Sequence, residues 1–67
     1  MRGKIVKFTK YGYGGFIRPD DAHDNIFFLA SDVAADSAPA VGMRVEFDII
    51  TEKDGRLRAQ NVRVQGV

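Results

Sequence analysis

Cysteine is absent from this 67-residue sequence, so neither a disulfide nor a zinc–thiolate site can staple the fold. With one histidine, His23, a histidine metal cage is excluded too. Excess charge is also missing. Ten Lys and Arg stand against nine Asp and Glu, giving a formal net charge of +1. A domain that held nucleic acid through phosphates alone would be far more basic. Any nucleic-acid affinity must therefore draw on base contacts, or the basic residues must share one face. No apolar run approaches the roughly 18 residues of a membrane span. The short apolar run after Met1-Arg2-Gly3-Lys4 is too small for a signal-peptide core. The expected location is cytoplasmic, with no membrane partner.

Catalysis lacks its usual carriers as well. There is no cysteine, one loop histidine and no nucleophile elbow. Tyr11-Gly12-Tyr13-Gly14-Gly15 is superficially like a phosphate-binding loop, but no helix pattern and no Lys-Ser/Thr pair follow it. Asp20, Asp21 and Asp24 with His23 form an oxygen-rich turn whose spacing does not match a calcium loop. Neither an enzyme nor a metal or other cofactor is expected. The length allows one domain over residues 1–67. A chain this short buries only about 60% of the surface its unfolded form exposes, so its stability is modest.

What is present is a succession of short strand patterns. Gly3 to Lys10 alternates β-branched and aromatic residues with lysines, as a strand with one wet face does. The glycines that follow mark a turn or bulge. Phe16-Ile17-Arg18 resumes the strand pattern and Pro19 ends it. Asn25 to Ala30 forms a third strand, and Ser31-Asp32-Val33 can open a short helical turn. Arg44 to Thr51 alternates polar and apolar residues almost perfectly. Lys53-Asp54-Gly55 is a hairpin turn in which Asp-Gly supplies positive φ angles, and Leu57 to Val64 is a fifth strand. Five short strands without a long helical period predict an all-β, five-stranded antiparallel barrel. A small barrel covers one core and removes most free edges, so a monomer is expected, with weak edge-to-edge pairing as the route to a dimer.

Strand alternation divides the apolar residues between two faces. With Ile17, Ile26 and Phe28 in the core, Phe16, Phe27 and Leu29 point outward. Two exposed phenylalanines on neighbouring strands have no folding rationale, whereas bases stacking on them would give one. Tyr13, in the glycine-rich turn, is either a further stacking residue or a cover for one barrel end, and Tyr11 reads as cover. Lys4, Lys7, Lys10, Arg18, Arg56 and Arg58 can follow phosphates only where they fall on the platform side. Lys7, Lys10 and Arg58 are the basic candidates.

The ordered set of motifs resembles the cold-shock domain family, whose pattern runs G-x-V, W-F-N, K-G-F-G-F-I, P-D-D, D-V-F-V-H-F, G-x-x-V-x-F and A-x-N-V. The sequence offers Gly3-Lys4-Ile5, Phe8, Phe16-Ile17, Pro19-Asp20-Asp21 and Asn25-Ile26-Phe27-Phe28-Leu29 in that order. Gly42-Met43-Arg44-Val45-Glu46-Phe47 and Ala59-Gln60-Asn61-Val62 follow. The resemblance implies an oligonucleotide/oligosaccharide-binding (OB) barrel that binds single-stranded RNA or DNA by stacking bases on aromatics of the second and third strands. It places Phe8 at an aromatic of the W-F pair, Lys7 at the tryptophan site and Arg58 at the base of the binding face. Leu29 takes the histidine position and Ala30 the phenylalanine after it. Gly12 aligns with the lysine of K-G-F-G-F-I, and Tyr13-Gly14 stands where Gly-Phe is usual. If Gly15 forms a bulge, the register slips and Tyr13 becomes the stacking aromatic; without a slip, the platform loses one.

The implied function is a passive RNA chaperone, or a modulator of transcription or translation, that holds strands open because stacking competes with pairing. A protein-interaction module that kept the barrel and lost the ligand is the alternative, favoured by the near-neutral charge and the missing histidine.

Overall fold

The computed structural model describes residues 1–65. Five strands form from the five patterns: β1 (Arg2–Phe8), β2 (Gly14–Pro19), β3 (Ile26–Leu29), β4 (Arg44–Thr51) and β5 (Leu57–Val64). A 3₁₀ turn, Ala30–Asp32, follows β3. It is fastened by Asp32, whose Oδ2 accepts the Leu29 N–H at 2.8 Å. Hydrogen-bonded neighbours run β1-β2-β3-β5-β4, and β4 returns to β1 to close the barrel.

Four of the five seams are antiparallel, as expected, but β3 and β5 pair in parallel through Phe27↔Arg58 and Phe28↔Ala59. The reason is topological. Around a closed ring with an odd number of strands, directions cannot alternate at every seam, so one neighbour pair must run the same way. That seam is short. The connection after the 3₁₀ turn reinforces it, with a Val33↔Val62 bridge and the Ala34 N–H donating to the Val62 carbonyl at 2.8 Å.

Inside the barrel lie Ile5, Ile17, Ile26, Phe28, Val45, Phe47, Ala59 and Val62. Ile17, Ile26 and Phe28 therefore occupy the interior, as the alternation predicts. Burying each of the larger side chains is worth about 1.5–3 kcal/mol, which makes this cluster the main source of stability in a chain without staples.

Two bulges adjust the faces. Between Ile5↔Ile17 and Lys7↔Phe16, β1 carries one extra residue, Val6. The irregularity thus sits in β1, while Gly14 and Gly15 pair regularly with Leu29 and Phe28. The register slip at Gly15 does not occur. In β5, Asn61 and Val62 together oppose Phe47, between the pairs Glu46↔Arg63 and Asp48↔Gln60. Asn61 has φ 53°, and its Nδ2 donates to Asp48 Oδ2 at 3.0 Å. A left-handed residue at this bulge lets Phe47 and Val62 both face inward, and asparagine tolerates that conformation better than other side chains do. The hairpin between β4 and β5 also differs from expectation. Only Gly55 has positive φ, at 89°, while Asp54 does not. The Gly55 N–H donates to the Glu52 carbonyl and the Glu52 N–H to the Arg56 carbonyl, so the loop spans three residues ending on a left-handed glycine.

Asn61→Val should lose on the order of 1–2 kcal/mol in urea unfolding, because a β-branched residue is strained at positive φ. Asn61→Gly should stay close to the parent. Equal stability of the two variants would remove this explanation of the bulge.

Candidate nucleic-acid interface

Register brings residues from four strands into one line. Lys7 pairs with Phe16, Phe16 with Phe27, and Phe27 with Arg58, so a single lateral row crosses β1, β2, β3 and β5 on the outside of the barrel. The Phe16 and Phe27 ring centroids are 5.5 Å apart at 62°, an edge-on pair. Both rings are half-buried, less open than alternation alone predicts. They shield each other, and the Lys7 ammonium lies 5.0 Å from the centroid of Phe16. Glu52, Arg56 and Leu57, beside the β4–β5 hairpin, line a hollow together with the two phenylalanines. Sequence reasoning passed over Leu57, which is 49% exposed between two arginines. An isolated large apolar residue at a hairpin foot was the available signal.

Phe27 and Phe28 are consecutive, so one points out and the other in, and both lie across β2. Two glycines make this possible. A Cβ on Gly14 would fall 3.1 Å from Phe27 Cζ and against the Phe28 carbonyl oxygen, while one on Gly15 would fall 2.9 Å from Phe28 Cζ. Gly14 thus opens the outer surface for Phe27 and Gly15 the inner surface for Phe28. The aromatic that the K-G-F-G-F-I pattern has at Gly14 is absent, and the Phe27 ring lies over that site.

The other sequence candidates divide into groups. Leu29 pairs with Gly14 and is half-buried, one position along the outer face from Phe27. Phe8 is directed to the barrel mouth. Its ring meets core residue Phe28 edge-on at 6.2 Å and lines an apolar cleft with Val33, Ala34 and Pro39. Tyr13 is 72% exposed and Tyr11 74%, with centroids 6.3 Å apart, so neither covers the barrel end. They stand out from a turn in which Thr9 Oγ1 accepts the Gly14 N–H at 3.2 Å. Lys10 belongs to this turn, not to β1, and its Nζ lies 5.6 Å from the Tyr11 centroid.

Arg58 pairs with Phe27 across the β3–β5 seam, yet its charge is matched. Its Nε is 3.2 Å from Asp32 Oδ2, without hydrogen-bond alignment, and its Nη1 is 3.4 Å from Glu52 Oε2. Arg2, Arg44, Arg56 and Arg63 also sit in ion pairs. Among the described residues, Lys4, Lys7, Lys10, Arg18 and Lys53 have none. Arg18 Nε donates instead to the neutral Asn25 Oδ1 at 2.7 Å. Three of these five lie on the outer faces of β1 and β2, Lys10 projects from the turn joining those strands, and Lys53 lies in the β4–β5 hairpin. Asp20 of the acidic turn pairs with Arg44, and no group of three or more His, Asp or Glu among the described residues is placed to hold a metal ion. No helix among them is long and apolar enough to cross a membrane.

The model of the 'Cold-shock' DNA-binding domain matches residues 1–65. The chain belongs to the cold-shock domain family. That family is one of nucleic-acid-binding domains, and the barrel agrees with it. The Drosophila Unr chain CSD456 superposes with a TM-score of 0.81 at 23% identity, which is a likeness of fold. The match covers 97% of this chain and 26% of that one, so this cold-shock domain spans about a quarter of its neighbour's length. No curated protein gives a significant match. Within the family pattern, this domain keeps the barrel residues and departs from it at Lys7, Gly14 and Leu29 on the outer face and at Ala30 in the turn after β3.

Gly14→Ala should cost about 1–3 kcal/mol in thermal or urea unfolding, the usual range for forcing atoms into a filled site. The Phe27 ring should also shift, which ring-proton NMR would detect. A fully stable variant with unmoved Phe27 signals would show that the glycine is not required.

Proposed function

We propose that this cold-shock domain binds single-stranded RNA or DNA on the face that carries Phe16 and Phe27. One observation supports the reading above the rest. Two phenylalanine rings stand side by side outside a core that other residues already fill, in the same row as an unpaired lysine. Bases have apolar faces whatever their sequence, and each stacked base is worth about 1–3 kcal/mol.

Phe16 and Phe27 serve as the stacking platform, with Leu29 as an apolar neighbour. Tyr13 offers a further ring beyond the platform, and Phe8 an aromatic edge at the barrel mouth. Lys7 and Lys10 supply phosphate contacts. Because Lys7 lies over Phe16 in the free protein, a base stacking on that ring displaces it toward the strand backbone. The cation–π contact given up is worth about 0.5–1 kcal/mol at an exposed site. Arg58 borders the platform with its guanidinium plane and stem, its charge being matched by Asp32 and Glu52. The domain acts as a monomer, in the cytoplasm, as an RNA chaperone or a modulator of transcription or translation. Stacking holds bases apart from their pairing partners, so no catalytic group takes part.

A second reading rests on the hollow between Phe16, Phe27 and Leu57. With Arg58 neutralised and Glu52 beside it, that end suits an apolar side chain of a protein partner better than a phosphate.

Titration of labelled oligo-dT and oligo-U at two salt concentrations tests the first reading. Phe16→Ala and Phe27→Ala should each weaken binding by about 1–3 kcal/mol, or roughly 5- to 150-fold. Lys7→Gln should flatten the salt dependence by about 0.7 in log K against log salt, the effect of one phosphate contact on a single strand. Failure of the parent protein to bind at low salt would end the single-strand reading in favour of the protein partner.

A further inference from the structure

A second row crosses the outer face beyond the aromatic one. Arg44 of β4 pairs with Lys4 of β1, and Lys4 pairs with Arg18 of β2. Three cations therefore stand abreast on three strands. Like charges directly opposite one another across a sheet are destabilising. Asp20 compensates only Arg44. Among the described residues no carboxylate pairs with Lys4 or Arg18, although this barrel supplies carboxylates to five of its arginines. The Asn25 amide orients the Arg18 guanidinium without cancelling its charge. A hollow borders the row, lined by Lys4, Arg18, Asp20, His23 and Arg44 among others, with Asp20 turned to Arg44.

The position of the row matters as much as its charge. Arg18 is two residues from Phe16 on the same face of β2, a separation of about 7 Å. Lys4 and Lys7 are three residues apart, and in a regular strand that odd spacing would put them on opposite faces. The Val6 bulge inserts one extra residue between them, so Lys4 opposite Arg18 and Lys7 opposite Phe16 both face outward. The bulge thereby joins the aromatic row and the cationic row into one surface.

We propose that Lys4 and Arg18 hold a backbone phosphate of the bound strand, so that the nucleic-acid track runs past the aromatic row across β1 and β2 toward β4. This rests on the single-strand reading above. It adds a polarity to the site: bases stack over Phe16 and Phe27, and the strand leaves toward Lys4 and Arg18 rather than toward neutralised Arg58. The repulsion between the two cations is relieved when the phosphate arrives, so binding at this row also stabilises the fold.

The test compares the parent with the Lys4→Gln/Arg18→Gln double variant, using labelled oligo-dT of about 12 nucleotides, within the span an OB barrel covers. Lys7 and Lys10 alone give a log K against log salt slope of about −1.4, and the one further phosphate held by the row should steepen it to about −2.1 in the parent. The double variant should return to the shallower slope while melting about 1–5 °C higher, because a like-charge contact has been removed. That combination separates a binding role from a structural one, which would lower both. An unchanged slope in the double variant, with Phe16→Ala still weakening binding, overturns the row and leaves the platform standing. Signals of Lys4 and Arg18 that respond equally to inorganic phosphate and to the oligonucleotide would point to a free-anion site and also overturn it. A parent that binds no oligonucleotide ends both readings together.

Discussion

Consecutive side chains of a strand leave it on opposite sides, and in this barrel that rule bears hardest on Phe27 and Phe28. One ring has to fill the interior and the next has to lie outside, both crossing the same strand. Ordinary side chains on β2 would block them. Gly14 and Gly15 remove the obstruction on each face in turn, so the chain's two glycines at this point serve the core and the surface at once. From this arrangement follow the position of Phe16 beside Phe27, the edge contact of Phe8 with Phe28, and the loss of any aromatic at Gly14 itself.

The near-neutral charge of the chain conceals a division of labour. Five arginines are matched by carboxylates, mostly as exposed pairs worth about 0–1 kcal/mol each. Their effect is less on stability than on potential, because they quiet the surface near β5 and the β4–β5 hairpin. Of the five cations without an ion-pair partner among the described residues, four gather on β1, β2 and the turn that joins them, and Lys53 lies in the β4–β5 hairpin. A net charge of +1 is therefore compatible with a locally basic face next to the aromatic pair.

Much of the fold was legible in the sequence. β4 and β5 were readable to the residue, because alternating Arg44 to Thr51 and the Asp54-Gly55 turn leave little choice. The inner set of Ile17, Ile26 and Phe28 was fixed by period alone. The parallel β3–β5 seam was not legible, since it comes from closing an odd number of strands and not from any local pattern. The Val6 bulge also escaped, because Val6 is a good strand residue and nothing in its neighbourhood signals irregularity. The glycines drew attention to Gly15 instead, where pairing turns out regular. Phe16 and Phe27 lie on the outer face that the alternation predicts, whereas the outward position of Lys7 depends on the Val6 bulge. The neutralisation of Arg58 was hidden, since Asp32 and Glu52 reach it from separate parts of the chain.

Local chemistry thus decided the number of strands, the turn positions and which residues of each strand share a face, because these depend on near neighbours and on a two-residue period. Closure decided the rest. It set the order of strands, aligned Lys7, Phe16, Phe27 and Arg58 in one row, brought carboxylates to Arg58 and withheld them from Lys4 and Arg18. Those relations join residues far apart in the chain, and only the pairing of strands in three dimensions can bring them within reach of one another.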